Sequence, residues 1–269
     1  MSTTGAFDEA VKGVQGVVHT ASNVSFSPDP NAVIVPTVAG MMTLLQSASM
    51  ESSIKGFVYT SSGIAAADFD LPLSVDTSTW NEAHIKEAWS VTSPPFPDGH
   101  GGAVYGASKT EAEKALWKYV KEENPHFRVN SILPDQTFGE VLSTGGSLST
   151  GNWIRMVHKG EDDFVKHLRP AWYVNVKDVA RLHVAALLSK SITNERIYAC
   201  AAPFTWNQVL DVLRRLYPSR QLAEDIEGAK LSVLGYPTKR GEQLLQNTFG
   251  REGWSSLEET VAENVKDLA

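Results

Sequence analysis

The sequence predicts an α/β fold: a parallel sheet with helices on both of its faces. Two observations carry this. Short apolar runs of strand length alternate with longer runs of helical character from Gly16 to Ala202, the pattern that builds strand-helix-strand crossovers. No internal repeat or long low-complexity segment breaks that alternation.

The elements follow in order. Gly16-Val-Val-His-Thr-Ala-Ser22 is a short apolar run and reads as a buried strand. Asn31 to Met50 reads as a helix with small residues on one side, and Gly56-Phe-Val-Tyr-Thr-Ser-Ser62 as a second strand. Residues 68–102, rich in Pro, Asp, Ser and Gly, predict a long loop with a short helix near Asn81 to Glu87. Ala103 to Glu123 predicts a strong helix, stopped at Asn124-Pro125 because proline cannot continue it. Arg128 to Pro134 is a third strand, Trp172 to Val176 a short strand before a helix over Lys177 to Ser189, and Arg196 to Ala202 a fourth main strand. Trp206 to Tyr217 and Ser255 to Leu268 read as amphipathic helices. The stretch from Leu142 to Pro170, and the chain after Pro203, are richer in loops and predict a smaller lobe over the strand ends, where ligands sit in open α/β sheets.

The chain has 269 residues, 42% hydrophobic and 20% charged, enough apolar material for one large domain or one domain with a small lobe. A net charge of -7, with no local Lys/Arg cluster, argues against nonspecific nucleic-acid binding. The single cysteine, Cys200, makes no internal disulfide and no cysteine-based metal site. The polar, acidic first residues are unlike a secretory signal, and no apolar run approaches the ~20 residues of a spanning helix. The expectation is a cytoplasmic protein with a small-molecule partner, and with neither nucleic-acid nor membrane partners.

The clearest chemical signal is Tyr105-Gly-Ala-Ser-Lys109, preceded by Tyr59-Thr-Ser-Ser62. Tyr and Lys four residues apart on a helix share one face. A phenol, with a pKa near ~10, exchanges a proton poorly at neutral pH, and a nearby ammonium makes its ionised form more accessible. Ser62, at the end of an earlier strand, is placed to hydrogen-bond a carbonyl oxygen and orient it. Such a trio moves a hydride and a proton between a nicotinamide and a carbonyl. Other titratable residues carry plainer expectations. His19 reads as a satisfied buried histidine, His100 as solvent-facing, Glu161-Asp-Asp163 as a solvated acidic face and Asp178 as a helix cap or ion-pair partner. No histidine and carboxylate spacing resembles a metal site.

These residues bring out a resemblance. The chain is similar to the extended short-chain dehydrogenase/reductases of the NAD-dependent epimerase/dehydratase superfamily. Within them it resembles the dihydroflavonol reductase and cinnamoyl-CoA reductase branch, and most of all the fungal aldehyde (carbonyl) reductases. The segments that carry the resemblance include Val17-Val-His-Thr-Ala-Ser22, Val58-Tyr-Thr-Ser-Ser62 and Tyr105-Gly-Ala-Ser-Lys-Thr-Glu-Ala-Glu113. Others are Ile132-Leu-Pro134, Trp172-Tyr-Val-Asn-Val-Lys-Asp-Val-Ala180 and Phe204-Thr-Trp-Asn207.

The resemblance implies a Rossmann-type doubly wound sheet lacking its first strands, with a small C-terminal substrate lobe. Residues 1–140 and 176–202 would form the dinucleotide-binding domain, and 141–175 and 203–269 the substrate-binding lobe. Ser62, Tyr105 and Lys109 match the catalytic trio. Ala21, Ser22, Thr60, Ser61, Tyr105, Lys109, Pro134, Gln136 and Thr137 match cofactor contacts, while Phe26, Trp172 and Trp206 would line an apolar substrate pocket or simply pack. Asp135 stands where the family usually has Asn. The implied activity is NADPH-dependent reduction of an aldehyde or ketone, NADH being an alternative cofactor, by a monomer or homodimer. A sugar-nucleotide epimerase or dehydratase, and a non-catalytic remnant or binding protein, are the other readings.

One family feature is missing. No G-x-x-G-x-x-G phosphate loop occurs, and the chain starts where the family's third strand has ended, so it reads as truncated. Gly16 to Ser22 would then be an exposed edge, prone to aggregation. The expectation is a poorly stable chain that binds NADPH weakly or not at all.

Overall fold

The computed structural model describes residues 3–67, 74–142 and 149–268. Residues 68–73 of the predicted long loop and 143–148 of the predicted lobe lie outside the described residues. In chain order the elements are β1 (Gly16–His19), α1 (Pro30–Met50), β2 (Gly56–Thr60), α2 (Glu82–Ala88), α3 (His100–Glu123), β3 (Arg128–Pro134), β4 (Gln136–Phe138), α4 (Trp153–Lys159), β5 (Ala171–Asn175), α5 (Val176–Leu188), β6 (Arg196–Ala199), β7 (Ala202–Phe204), α6 (Trp206–Leu216), α7 (Lys239–Phe249) and α8 (Leu257–Val265). The chain divides into two compact units, one of Met1–Asp68, Val75–Leu133 and His183–Ile197, the other of Phe69–Ser74, Pro134–Leu182 and Tyr198–Ala269.

The first unit is built on a four-stranded sheet in the order β1-β2-β3-β6, with β1, β2 and β3 parallel. Val17, Phe57 and Val129 stand in register across three strands, so their side chains form one apolar row. Met41, Leu44 and Leu45 of α1 and Ala112 and Leu116 of α3 close over that row. On the opposite face Gly16 and Gly56 let Leu187, at the end of α5, lie directly on the strands, and the Asn130 amide donates to Ala186 O (3.1 Å). Helices thus cover both faces. β1 is an edge strand in this sheet, and Val18 is 42% exposed on it.

Helix α1 starts where Asp29 accepts a hydrogen bond from Asn31 N (2.9 Å) and Pro30 supplies a preset first turn. Its 21 residues include an 18-residue window of mean hydropathy 1.4, long and apolar enough to cross a membrane, contrary to the expectation that no run approaches that length. Half of that window is buried against the unit's own core, as in the central helix of a folded domain. Helix α3 begins three residues earlier than Ala103, after Gly99 in the left-handed region (φ 77°). His100 is correspondingly buried and stacked on Phe96, where a solvent-facing histidine was expected. The helix ends at Asn124, whose left-handed φ of 43° turns the chain into Pro125.

Helix α2 crosses α3 at Gly106, where the His84 ring occupies the space a Cβ would need. Gly106→Ala is therefore expected to destabilise the chain by about 1–3 kcal/mol in urea unfolding, through overpacking beside Tyr105. A neutral result would show that the crossing yields.

The second unit holds a three-stranded sheet in the order β4-β5-β7, with β4 parallel and β7 antiparallel to β5. The predicted strand from Arg196 to Ala202 is two strands in different sheets. The chain breaks at Cys200-Ala201, where Ala201 N donates to Tyr173 O (2.8 Å), and Pro203 is accommodated because β7 is an edge. Phe138, Ile154, Val157, Phe204, Val209, Leu213 and Val261 form its core. Helix α6 opens with a capping box, Thr205 and Gln208 each satisfying the other's backbone N–H. Helices α4 and α7 were not expected from the sequence. In α7, Gly241 admits the Trp254 ring and Tyr198 O at a contact no side chain would allow.

Candidate active site

The first unit positions the Ser, Tyr and Lys trio. Strand β2 delivers Thr60, Ser61 and Ser62 at its C-terminal end, and Ser62 opens a 3-10 turn, Gly63–Ala65, its carbonyl accepting from Ala65 N (3.0 Å). That turn packs on α3. It is tied to α2 by Asn81, whose amide donates to Ile64 O (2.9 Å) while its oxygen caps α2 at His84 N.

Tyr105 and Lys109 lie one turn apart on α3. The Tyr105 ring packs against Phe26 with centroids 4.8 Å apart and the planes tilted by 38°. Phe26 holds a left-handed φ of 53°, and its carbonyl lies against Gly101, where any Cβ would collide. Lys109 is buried; its ammonium donates to Thr60 O (3.3 Å) and lies 6.0 Å from the centre of the Tyr59 ring. Burial pulls its pKa down to about 8, and the Glu113 carboxylate opposes the fall. The ammonium form therefore dominates at neutral pH. His19, stacked near Tyr59, is pushed down to about 4 by burial and then by Lys109, so it is neutral there.

Two predicted cofactor contacts have their hydroxyls engaged elsewhere. Thr60 Oγ1 hydrogen-bonds His183 Nε2 (2.7 Å), and Ser61 Oγ donates to Glu113 Oε2 (2.7 Å). Ala21 and Ser22 border a cavity of about 290 Å³ between the tip of β1 and the Thr37 to Met41 turn of α1. The Ser22 hydroxyl is buried with no hydrogen-bond partner among the described residues. A ligand bearing hydroxyl or phosphate oxygens fits such a donor, and the buried Lys109 ammonium has donors to spare for a ribose.

The other predicted residues belong to the second unit. Asp135 accepts from Trp172 N (3.0 Å), and burial raises its carboxyl to about 7 against the backbone N–H groups of Trp172 and Gln136. The Trp172 indole donates to Leu234 O (2.8 Å) and meets Tyr236 edge-on. Pro134 ends β3; Gln136 lies in β4 with its side-chain oxygen buried and unpartnered among the described residues, and Thr137 is bridged to Thr150. Trp206 is 6% exposed, enclosed by Phe138, Phe204, Trp153 and Phe164, so in this structure it is a packing residue. Asp178 pairs with Arg181 and accepts from Ser255 N. Sequence reasoning passed over Glu113, although it repeats the four-residue spacing of Tyr105 and Lys109.

A parallel sheet with helices on both faces, and a Tyr-Lys pair on a helix beside a Ser-tipped strand, define an NAD(P)-dependent oxidoreductase of the short-chain dehydrogenase/reductase class. The comparisons agree. A family profile described as "Male sterility protein", an NAD-binding domain, matches residues 3–162. The chain is 36% identical over 261 residues to the NAD-dependent epimerase/dehydratase terH of Aspergillus terreus, covering 96% of this chain and 76% of that one. It is 35% identical over 273 residues to Aldehyde reductase 2 of Sporidiobolus salmonicolor, covering 98% and 78%. Yeast methylglyoxal/isovaleraldehyde reductase Gre2, solved in complex with NADPH, shares the fold with a TM-score of 0.80 at 24% identity, over 99% of this chain and 81% of that one. The chain belongs to this NAD-binding family, within the epimerase/dehydratase superfamily.

Proposed function

We propose that this chain reduces an aldehyde or ketone to an alcohol at the expense of NADPH, as a cytoplasmic monomer or homodimer acting on a small carbonyl compound. The observation that carries this is the placing of Tyr105 and Lys109 on one face of α3, against the end of β2 that bears Ser62. Bound NADPH would supply the hydride. Ser62 orients the carbonyl through a hydrogen bond to its oxygen. Tyr105 gives that oxygen its proton. Lys109, charged at neutral pH, stabilises the phenolate that is left and reaches a ribose hydroxyl.

Ala21, Ser22, Thr60 and Ser61 are the first unit's remaining cofactor contacts. Thr60 and Ser61 act through their backbone, since their hydroxyls are bonded to His183 and Glu113. The family pattern assigns Pro134, Gln136 and Thr137 to the cofactor and Trp172 to the substrate. Phe26, packed on Tyr105, presents an apolar surface that favours an aryl or alkyl carbonyl over a charged sugar nucleotide. The burial of Trp206 favours packing over substrate contact.

Titration of the chain with NADPH, followed by nucleotide fluorescence, should show saturable binding. An aryl ketone should then be reduced with NADPH consumed in equal amount, and a UDP-sugar left unchanged. Turnover of the sugar nucleotide instead would favour the epimerase/dehydratase reading, and saturable NADPH binding with no carbonyl reduced would overturn the reductase reading.

A further inference from the structure

Glu113 is fully buried one turn beyond Lys109 and gathers more donors than any other carboxylate described in the first unit. Its Oε2 accepts from Ser61 Oγ (2.7 Å) and Arg196 Nη2 (3.1 Å). Its Oε1 accepts from Ser131 Oγ (2.6 Å), Arg196 Nε (2.9 Å) and Trp117 Nε1 (3.2 Å). One carboxylate therefore joins the ends of β2 and β6 and the middle of β3 to α3. Arg196, nearly as buried, donates its remaining Nη1 protons to Thr77 O and Thr79 O (both 2.9 Å) and lies 3.8 Å from the centre of the Trp80 ring. So complete a set of donors fixes the position of the carboxylate in a buried site.

We propose that Glu113 is a positioning residue for the proton-transfer pair: its buried carboxylate places a negative charge one helical turn from Lys109 and, through Ser61, fixes the strand end that presents Ser62. The inference rests on the reductase reading of Tyr105, Lys109 and Ser62. Among the described residues, these groups surround Lys109. From its own helix they are Tyr105 and Glu113, from β2 the Tyr59 ring, from β1 His19, and from α5 His183, which reaches it through Thr60. His19 is neutral at neutral pH, so among these groups Glu113 is the one negative charge that offsets the burial of the lysine. Arg196 pairs with the same carboxylate through Nε and Nη2, so removing the two together tests whether Glu113 does more than hold an ion pair.

The test follows the 13Cε signal of Lys109 through a pH titration of lysine-labelled protein, the signal being assigned with Lys109→Arg. In the unaltered chain the midpoint is expected near 8. Glu113→Gln should move it to lower pH by about 1 or more, because an opposite charge has been lost. Glu113→Gln also strands Arg196, so it should melt lower. The double variant Glu113→Gln, Arg196→Met removes both charges together; it should regain much of that stability yet keep the lowered lysine midpoint. A double variant that melts like the unaltered chain and titrates at its midpoint would overturn the proposal, as would an unaltered Lys109 that titrates like free lysine. The alkaline fall of ketone turnover should move with the NMR midpoint. The NMR readout needs no turnover, so a lowered midpoint in a chain that reduces no carbonyl would count against the reductase reading and leave the role of Glu113 standing.

Discussion

Tyr105→Phe is expected to lower kcat for carbonyl reduction about 10²–10⁴-fold, the usual worth of a positioned general acid, with NADPH binding and melting temperature close to those of the unaltered chain. The substitution removes one oxygen and keeps the ring packed on Phe26. Steady-state kinetics at saturating NADPH, beside a thermal melt, would check it. A Phe variant that retains most of its turnover would move the proton donor elsewhere and remove the main argument for the proposed reaction. Lys109→Met should fall at least as far, but with weaker nucleotide binding too, because in the proposed reaction the ammonium serves both proton transfer and the ribose.

The parts of the proposed site that were legible in the sequence were those fixed by local geometry. Tyr105 and Lys109 announce themselves through helical spacing, and Ser62 through its place at the end of an apolar strand. Contacts made across the unit were not legible. Thr60 and Ser61 match cofactor contacts by the resemblance, but nothing local shows that the Ser61 hydroxyl turns to a carboxylate 52 residues away and that of Thr60 to a histidine 123 residues away. Nothing in the local pattern of Ser25-Phe26-Ser27 indicates that a left-handed Phe26 will lie on Tyr105.

Asp135→Asn is expected to stabilise the chain by about 2–4 kcal/mol at pH 8 and by little at pH 4. Burial raises the carboxyl from an ordinary value near 3.8 to about 7. The folded state therefore holds this proton more tightly than the unfolded state does. Its contribution to stability is fully present below about pH 4 and is lost as pH rises through about 7. Asparagine has no proton to lose and can still accept the backbone N–H groups of Trp172 and Gln136. Urea unfolding of both proteins at the two pH values isolates the effect, since every other titrating group is common to them. An equal gain at both would show that the carboxyl is ionised at low pH and that its burial is tolerated for another reason.

The fold was legible to a similar degree and for similar reasons. Alternating apolar runs announced β1, β2, β3 and the helices between them. After Arg196 the run from Ile197 to Ala202 is apolar throughout, so its pattern does not reveal that the chain changes sheets at Cys200. Helix α7 was hidden by Gly241, which reads as a breaker and is instead the point where a tryptophan ring meets the helix. His100 lies between a proline-rich stretch and glycines, a local composition typical of loops, and only the packing of Phe96 shows it to be interior.

Helix α1 has a consequence during biosynthesis. Its apolar face is covered chiefly by α3, whose last turn lies about seventy residues further along the chain. At elongation rates of roughly 5–20 residues per second, that cover leaves the ribosome about 4–15 s after α1 does. Throughout that interval the nascent chain carries a 21-residue apolar helix without its principal cover. The order of synthesis thus makes α1 a client segment for cotranslational chaperones, and slowing translation between Met50 and Glu123 would lengthen that dependence.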